Sequence, residues 1–253
     1  MDILTLQDLL IFALTTTSAF VGVNFGGTML LVVPLLLGAG YSPLVVLAST
    51  RPAVVLQSLI GIRMFRSQGD LSRGQKLALL VSAAAGAMVG VWGLSRLSAQ
   101  QGQTLMLCLA GLFIVGMALR YVLRNRFSNQ HTALNQQGMG RFLGSGFFAS
   151  IFAGLVGAGA GLVVSLLSVW LLRKSIHATR YLEKFVSVGH ATWVGLWLGM
   201  QGWLDPTVAL VVLLGNGLGA YLGARISLRW NALWLYALML LVCLGVMVKV
   251  VFF

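Results

Sequence analysis

Charge is scarce in this 253-residue chain. Asp, Glu, Lys and Arg make up 9% of it, where a soluble domain carries about 25%. Residues 9 to 50 hold no charged side chain at all, and the whole chain has five acidic residues, of which Glu183 is the one glutamate. A water-soluble globule is therefore excluded. The 17 Lys and Arg are spread between apolar stretches rather than gathered on one face, which argues against a nucleic-acid partner. Cysteine is also sparse. Cys108 and Cys243 each sit alone in an apolar run with no metal-type spacing, and both are expected to be core thiols. HExxH, CxxC and nucleotide-binding motifs are lacking, so no cofactor is expected. The opening MDILTLQDLL lacks the basic region of a secretory signal and is expected to stay as part of the first segment.

What is present is hydrophobic sequence, 58% of all residues. Cutting it at charges and turn residues predicts ten helical segments, at about 4–23, 28–38, 44–65, 76–95, 103–123, 141–156, 161–172, 176–200, 206–225 and 231–252. An all-α polytopic membrane protein follows, with the lipid bilayer as its surroundings. Segments 28–38 and 161–172 are too short to cross a core of about 30 Å, and they read as half-helices.

Each half-helix follows a glycine-rich break, VNFGGT at 23–28 and VGAGAG at 156–161. The flanking text also recurs: FVG at 20–22 as FAG at 152–154, STRP at 49–52 as ATRY at 178–181, and GAMVG at 86–90 as GAYLG at 219–223. This predicts two five-segment repeats, 1–124 and 141–253, joined by a polar cytoplasmic linker at 125–140. The basic residues reverse sides between the copies. Arg63, Arg66, Arg73 and Lys76 follow segment 3 while Asp205 follows segment 8; Arg173 and Lys174 follow segment 7, whose counterpart has none. Arg96 follows segment 4 against Arg225 and Arg229 after segment 9. The positive-inside rule then makes the second copy inverted, with both chain ends facing outward. Broken helices in matching places of inverted repeats are the pattern of secondary transporters.

The run LLVVPLLLGAGYSPLVVLAST, its looser echo GAGAGLVVSLLSVWLLRKSIHAT and the closing GLGAYLGARI together resemble the TauE/SafE sulfite-exporter family over nearly the whole chain. That resemblance implies a permease of the bacterial inner membrane, moving sulfite, sulfoacetate or another small organic or sulfur-containing anion. It implies a transporter rather than an enzyme.

The residues themselves suggest how an anion would be held. Gly26, Gly27, Gly157, Gly159 and Gly161 let backbone approach closely, and the starts of the half-helices offer unpaired N–H groups to an anion. The alternative is that they serve tight packing, as GAMVG and GAYLG are expected to do. Arg51 and Arg180 fall at matching positions, Arg51 about 10 Å into the membrane, where a charge costs about 2.5–3.5 kcal/mol. The pair is expected to converge on one anion near the midplane, each guanidinium offering a planar fork to a sulfonate or carboxylate; otherwise each would snorkel to its nearer interface. Thr50 and Thr179 precede them. Pro52 is expected to bend its segment. Arg180, Glu183, Ser187 and His190 share one helical face, with Gln57 and Ser58 forming a poorer stripe beside Arg51. Glu183 and His190 are the candidates for proton coupling, although Glu183 could simply neutralise Arg180 or Lys184, and His190 could be a neutral hydrogen bonder. Trp203, Trp230, Trp234 and Tyr121 sit where interface belts are expected, and His131 in the solvated linker. A passive anion channel shares these features, and an intramembrane enzyme using Glu183 and His190 is the remaining class. Oligomeric state is not legible.

Overall fold

A computed structural model describes residues 6–24, 26–68, 71–98, 100–101, 104, 108, 136–156, 161, 163–164 and 176–227. These form seven helices: α1 Leu6–Gly22, α2 Met29–Gly38, α3 Pro43–Met64, α4 Arg73–Ser95, α5 Gln136–Val156, α6 Ile176–Met200 and α7 Pro206–Ser227. Among the described residues there is no strand. The expected segment 231–252, most of 103–123 and of 161–172, and His131, Tyr121, Trp230, Trp234 and Cys243 lie outside the described residues.

Local chemistry sets the helix ends. Ser42 is extended and its Oγ accepts from the Val45 N–H, with Pro43 opening α3. Ser72 and Gln75 exchange side-chain and backbone hydrogen bonds in a capping box at the start of α4. Asp205 accepts from the N–H groups of Thr207 and Val208 at the start of α7. At the other ends, α2 and α6 close alike. Tyr41 N–H donates to Leu36 O and Gly40 N–H to Leu37 O; Trp203 N–H donates to Leu198 O and Gly202 N–H to Gly199 O. These are Schellman turns, and Gly40 (φ +90°) and Gly202 (φ +79°) supply the left-handed residue each needs. Tyr41, Asp205 and Asp8 lie towards the same end of the bundle: burial first, then the two carboxylates, push the Tyr41 phenol above its usual range.

Helices α3, α4 and α7 are long and apolar enough to cross a bilayer. Helix α2, at 10 residues, reaches only about 15 Å, the half-length its sequence predicts. Helix α6 has 25 residues and carries Arg180, Glu183 and Lys184, all buried. Polarity is arranged inside out relative to a soluble protein. On α4, Leu77, Val81, Met88 and Trp92 form an exposed stripe, while α3 buries Ser49, Thr50, Arg51, Gln57 and Ser58. Lipid solvates the apolar outside, so packing rather than water exclusion must hold the helices together.

That packing relies on missing side chains. Methyl groups at Gly215, Gly219 and Gly223 of α7 would run into the carbonyls of Phe12, Thr16 and Phe20 on α1. Methyl groups at Gly86 and Gly90 of α4 would run into those of Phe147 and Ile151 on α5. GAMVG and GAYLG thus do the close packing expected of them. Helix α3 packs on α6 and α7, and α4 on α6, so that exchanging the two halves maps α1·α7 onto α5·α4, α3·α7 onto α6·α4, and α3·α6 onto itself.

Two expectations change. Helix α5 begins at Gln136, five residues before the expected 141, because glutamine and methionine are good helix formers and a helix need not end where the hydrocarbon does. Cys108 is exposed rather than in the core; a thiol is as well accommodated by lipid as by an apolar interior. Helix α3 runs unbroken through Pro52.

Candidate functional site

The apolar interior divides into two clusters, one using Val46–Val54 of α3, Ala191–Leu198 of α6 and Val208–Val212 of α7, the other using Phe65, Tyr181–Val186 of α6 and Ala220–Ala224 of α7. Between them, near the middle of each helix, lies a buried polar layer: Gln57 and Ser58 on α3, Ser187 and His190 on α6, and Asn216 on α7. Polar side chains at that depth in a bundle line pathways and sites.

The first helix break enters this layer. Gly26 N–H bonds back to Gly22 O at 2.7 Å, and Gly26 then turns with φ +72°, a conformation glycine adopts without strain. Gly27 is buried. Thr28 makes no side-chain cap to α2; its Oγ1 accepts from Gln57 Nε2 at 2.7 Å. Gln57 Oε1 in turn accepts from Asn216 Nδ2 at 3.2 Å, which also donates to Ala53 O at 2.6 Å. A neutral amide chain therefore ties the start of α2 to α3 and α7.

Gly161, which closes the second glycine-rich stretch, meets the first break at Glu183. A Cβ on Gly26 would stand 2.5 Å from Gly161 Cα and 2.8 Å from Glu183 Oε1, and a Cβ on Gly161 would strike the same carboxylate. Only glycines let both backbones close on it. Glu183 is 1% exposed. Its Oε1 accepts from Ser187 Oγ at 2.7 Å, and its Oε2 lies 2.7 Å from Lys184 Nζ. The Lys184 stem lies across Gly61 of α3, where a Cβ would come within 2.9 Å of Cδ and Cε. Gly157 and Gly159 lie outside the described residues.

The arginines flank this centre from separate levels. Arg51 packs against Gly195, whose Cβ would stand 2.9 Å from its own, and its Nε donates to Leu47 O at 3.0 Å. His190 Nδ1–H donates to Val186 O at 3.0 Å. Thr50 Oγ1 donates back to Val46 O at 2.8 Å. Arg180 stands over the Phe65 ring, 5.7 Å from its centroid. Arg180 and Gly195 are 15 residues apart on α6, about 22 Å along its axis. Glu183, Lys184, Ser187 and His190 lie between them. Thr179 is helical backbone in α6.

Sequence reasoning brought forward Glu183, Ser187, Gly26 and Gly161, and the structure places these four together. It missed Lys184 as more than a neutralising neighbour, and it missed Asn216 and Gly61. Asn216 had a signal, as the one amide within the apolar run VALVVLLGNGLGAYLG. Asn24, just before the break, is likewise buried, and its side-chain amide makes no hydrogen bond among the described residues.

A family model, sulfite exporter TauE/SafE, matches residues 10–250. The chain belongs to the TauE/SafE sulfite exporter family. Neither a curated protein nor a solved structure matches it. As a TauE/SafE protein with several apolar spanning helices it is a multi-pass membrane protein of a transporter family. The GLY-rich crossing, the buried Glu183 and the flanking arginines all fall within the residues that the TauE/SafE model matches.

Proposed function

We propose that this protein is a secondary transporter of a small organic or sulfur-containing anion, such as sulfite, sulfoacetate or another organosulfonate or carboxylate, in a bacterial inner membrane. The observation that carries this reading is the meeting of the first helix break and Gly161 on a buried carboxylate inside the bundle. Broken helices at the midplane are where secondary transporters hold their cargo. The charge there favours an anion: the buried side chains Arg51, Arg180 and Lys184 bring three positive charges against the single carboxylate of Glu183 among the described residues. The start of α2, with no side-chain cap from Thr28, adds backbone N–H groups.

The anion sits between the levels of Arg51 and Arg180, against Gly26, Gly27, Gly159 and Gly161, with Thr50, Thr179, Gln57, Ser58 and Ser187 around it. Glu183 carries the coupling proton and His190 assists. The architecture is two inverted five-segment repeats. The helix pairings that map onto themselves when the halves are exchanged support this, as do the reversed Lys and Arg counts. Impermeant cysteine labelling checks the orientation: Ser67→Cys should react from the cytoplasmic side and Asp205→Cys from the outside, and equal access from one side would overturn the inverted arrangement.

The functional test is uptake into proteoliposomes. Sulfite or sulfoacetate should accumulate above equilibrium under an imposed pH gradient, Glu183→Gln should retain exchange but lose accumulation, and His190→Gln should show a milder loss. Uptake that only equilibrates, in every gradient, would make the protein a passive anion channel. Accumulation that persists in Glu183→Gln would leave Glu183 as a charge partner alone.

A further inference from the structure

We propose that Lys184 is the group that binds the transported anion directly, and that the Glu183 carboxylate occupies its ammonium when the anion is absent. This rests on the anion-transport reading above and says which cation at that site does the binding.

Lys184 is 1% exposed, about as deep as any charged group among the described residues. Adjacent residues on a helix do not normally face each other. Here the lysine stem lies along the gap left by Gly61, and Nζ returns to Glu183 Oε2 at 2.7 Å. The other carboxylate oxygen takes the Ser187 hydroxyl and abuts the backbone of Gly26 and Gly161. Glu183 therefore sits in a cradle with an ammonium on one oxygen, a hydroxyl on the other, and two glycine breaks as walls. Those are the groups a carboxylate or sulfonate would require. A sulfonate, sulfite or carboxylate entering the layer meets the same Nζ and the same Oγ–H once Glu183 withdraws.

Withdrawal has a simple chemical cause. A proton added to a carboxylate oxygen of Glu183 removes the charge that holds Nζ, and the ammonium is then satisfied by the incoming anion. Release reverses both steps, so that one proton moves with one monovalent anion and the charge of the buried layer is the same with and without cargo. Elements packed on this face of α6 supply few other charges. Among the described residues they are Arg51 and the exposed Arg63 on α3, the exposed Arg66 just beyond it, Arg73 and Lys76 on α4, with Lys76 lying over the Phe185 ring, and the exposed Arg141 on α5; Arg180 and His190 lie on α6 itself, and residues 23–28 of the break hold none. Those on α3 and α4 are cations, so Glu183 is the acidic group available to answer an anion there.

The test uses the full-length protein, purified in detergent, with methanesulfonate as a probe whose own charge is constant near neutral pH. Wild-type affinity should fall as pH rises, by up to about tenfold per unit, because each anion bound requires one proton taken up. Glu183→Ala should bind at least as tightly as wild type at its best pH and lose the dependence. Lys184→Gln alone strands a buried carboxylate and is prone to misfold, so the deciding variant is the neutral pair Glu183→Gln with Lys184→Gln, confirmed as monodisperse. It should bind at least about tenfold more weakly than Glu183→Gln, a difference of about 1.4 kcal/mol. Equal binding by the pair and by Glu183→Gln would overturn the role of Lys184 while leaving the protein an anion transporter. Wild-type binding that is flat with pH would overturn the exchange. Failure of the wild type to bind methanesulfonate, sulfite and acetate alike would overturn the anion reading itself.

Discussion

Helices α3 and α6 carry the similar stretches STRP and ATRY and pack on each other, yet they meet the first helix break by different chemistry. On α3, Gln57 fastens the start of α2 through Thr28 and is itself held by Asn216 of α7. Every partner there is neutral, and none changes charge near neutral pH. On α6, Glu183 presses on both breaks while held by Lys184 and Ser187. That arrangement can exist in two charge states. The comparison teaches that one half supplies a fixed fastener and the other a group able to respond to a proton or an anion.

The largest expected effect breaks the charged side. Lys184→Gln leaves Glu183 buried and uncompensated, and should destabilise the protein by about 3–5 kcal/mol, with most of the loss recovered when Glu183→Gln is added. Thermal unfolding in detergent checks both. A melting temperature unmoved by Lys184→Gln would mean that the pair contributes no more than the amides do.

Next comes the wall that both breaks share. Gly161→Ala pushes a methyl group into the Glu183 carboxylate and the Gly26 backbone, and overpacking of this kind costs about 1–3 kcal/mol. Because the collision is with the charged side, the same substitution should also alter the pH dependence of anion binding. A folded Gly161→Ala with wild-type binding at every pH would separate the breaks from the site.

The neutral side should respond less. Gln57→Ala removes one hydrogen bond from Thr28 and one from Asn216, a loss of about 1–3 kcal/mol with the buried partners unsatisfied. The pH dependence of methanesulfonate binding should keep its wild-type slope, since the lost groups do not titrate. A changed slope would erase the distinction between the two sides. The smallest effect is the reference: Gly140→Ala, where an added Cβ meets nothing within 4 Å, should stabilise α5 by no more than about 1 kcal/mol.

Much of the framework was legible. The half-length of α2, the extent of α6 and the close packing at GAMVG and GAYLG follow from run length, turn residues and small-residue spacing, which act within a few residues of one another. Glu183 and Ser187 were legible as neighbours because i, i+4 residues share a face. The Lys184 arrangement was not, since a pair at i, i+1 meets only when something outside the helix lets the longer side chain turn back. That something is Gly61, on another helix and 123 positions away by number. Asn216 was passed over for the same reason: an amide in an apolar run declares that it has a partner without saying which.

By itself, the sequence determined that this chain lies in a membrane, that a half-length helix follows its first glycine-rich stretch, and that Glu183 and Ser187 share a helical face. Hydrophobic run length and helical periodicity are enough for that, because they depend on the chain and its solvent alone. Only the tertiary structure decided that Gly26 and Gly161 converge on Glu183, that Lys184 stands against its carboxylate, and that Arg51 and Arg180 leave the bundle's helices at levels about 22 Å apart. Those facts depend on which helix lies beside which and at what height. In lipid, that is settled by the fit of small residues against a neighbouring backbone.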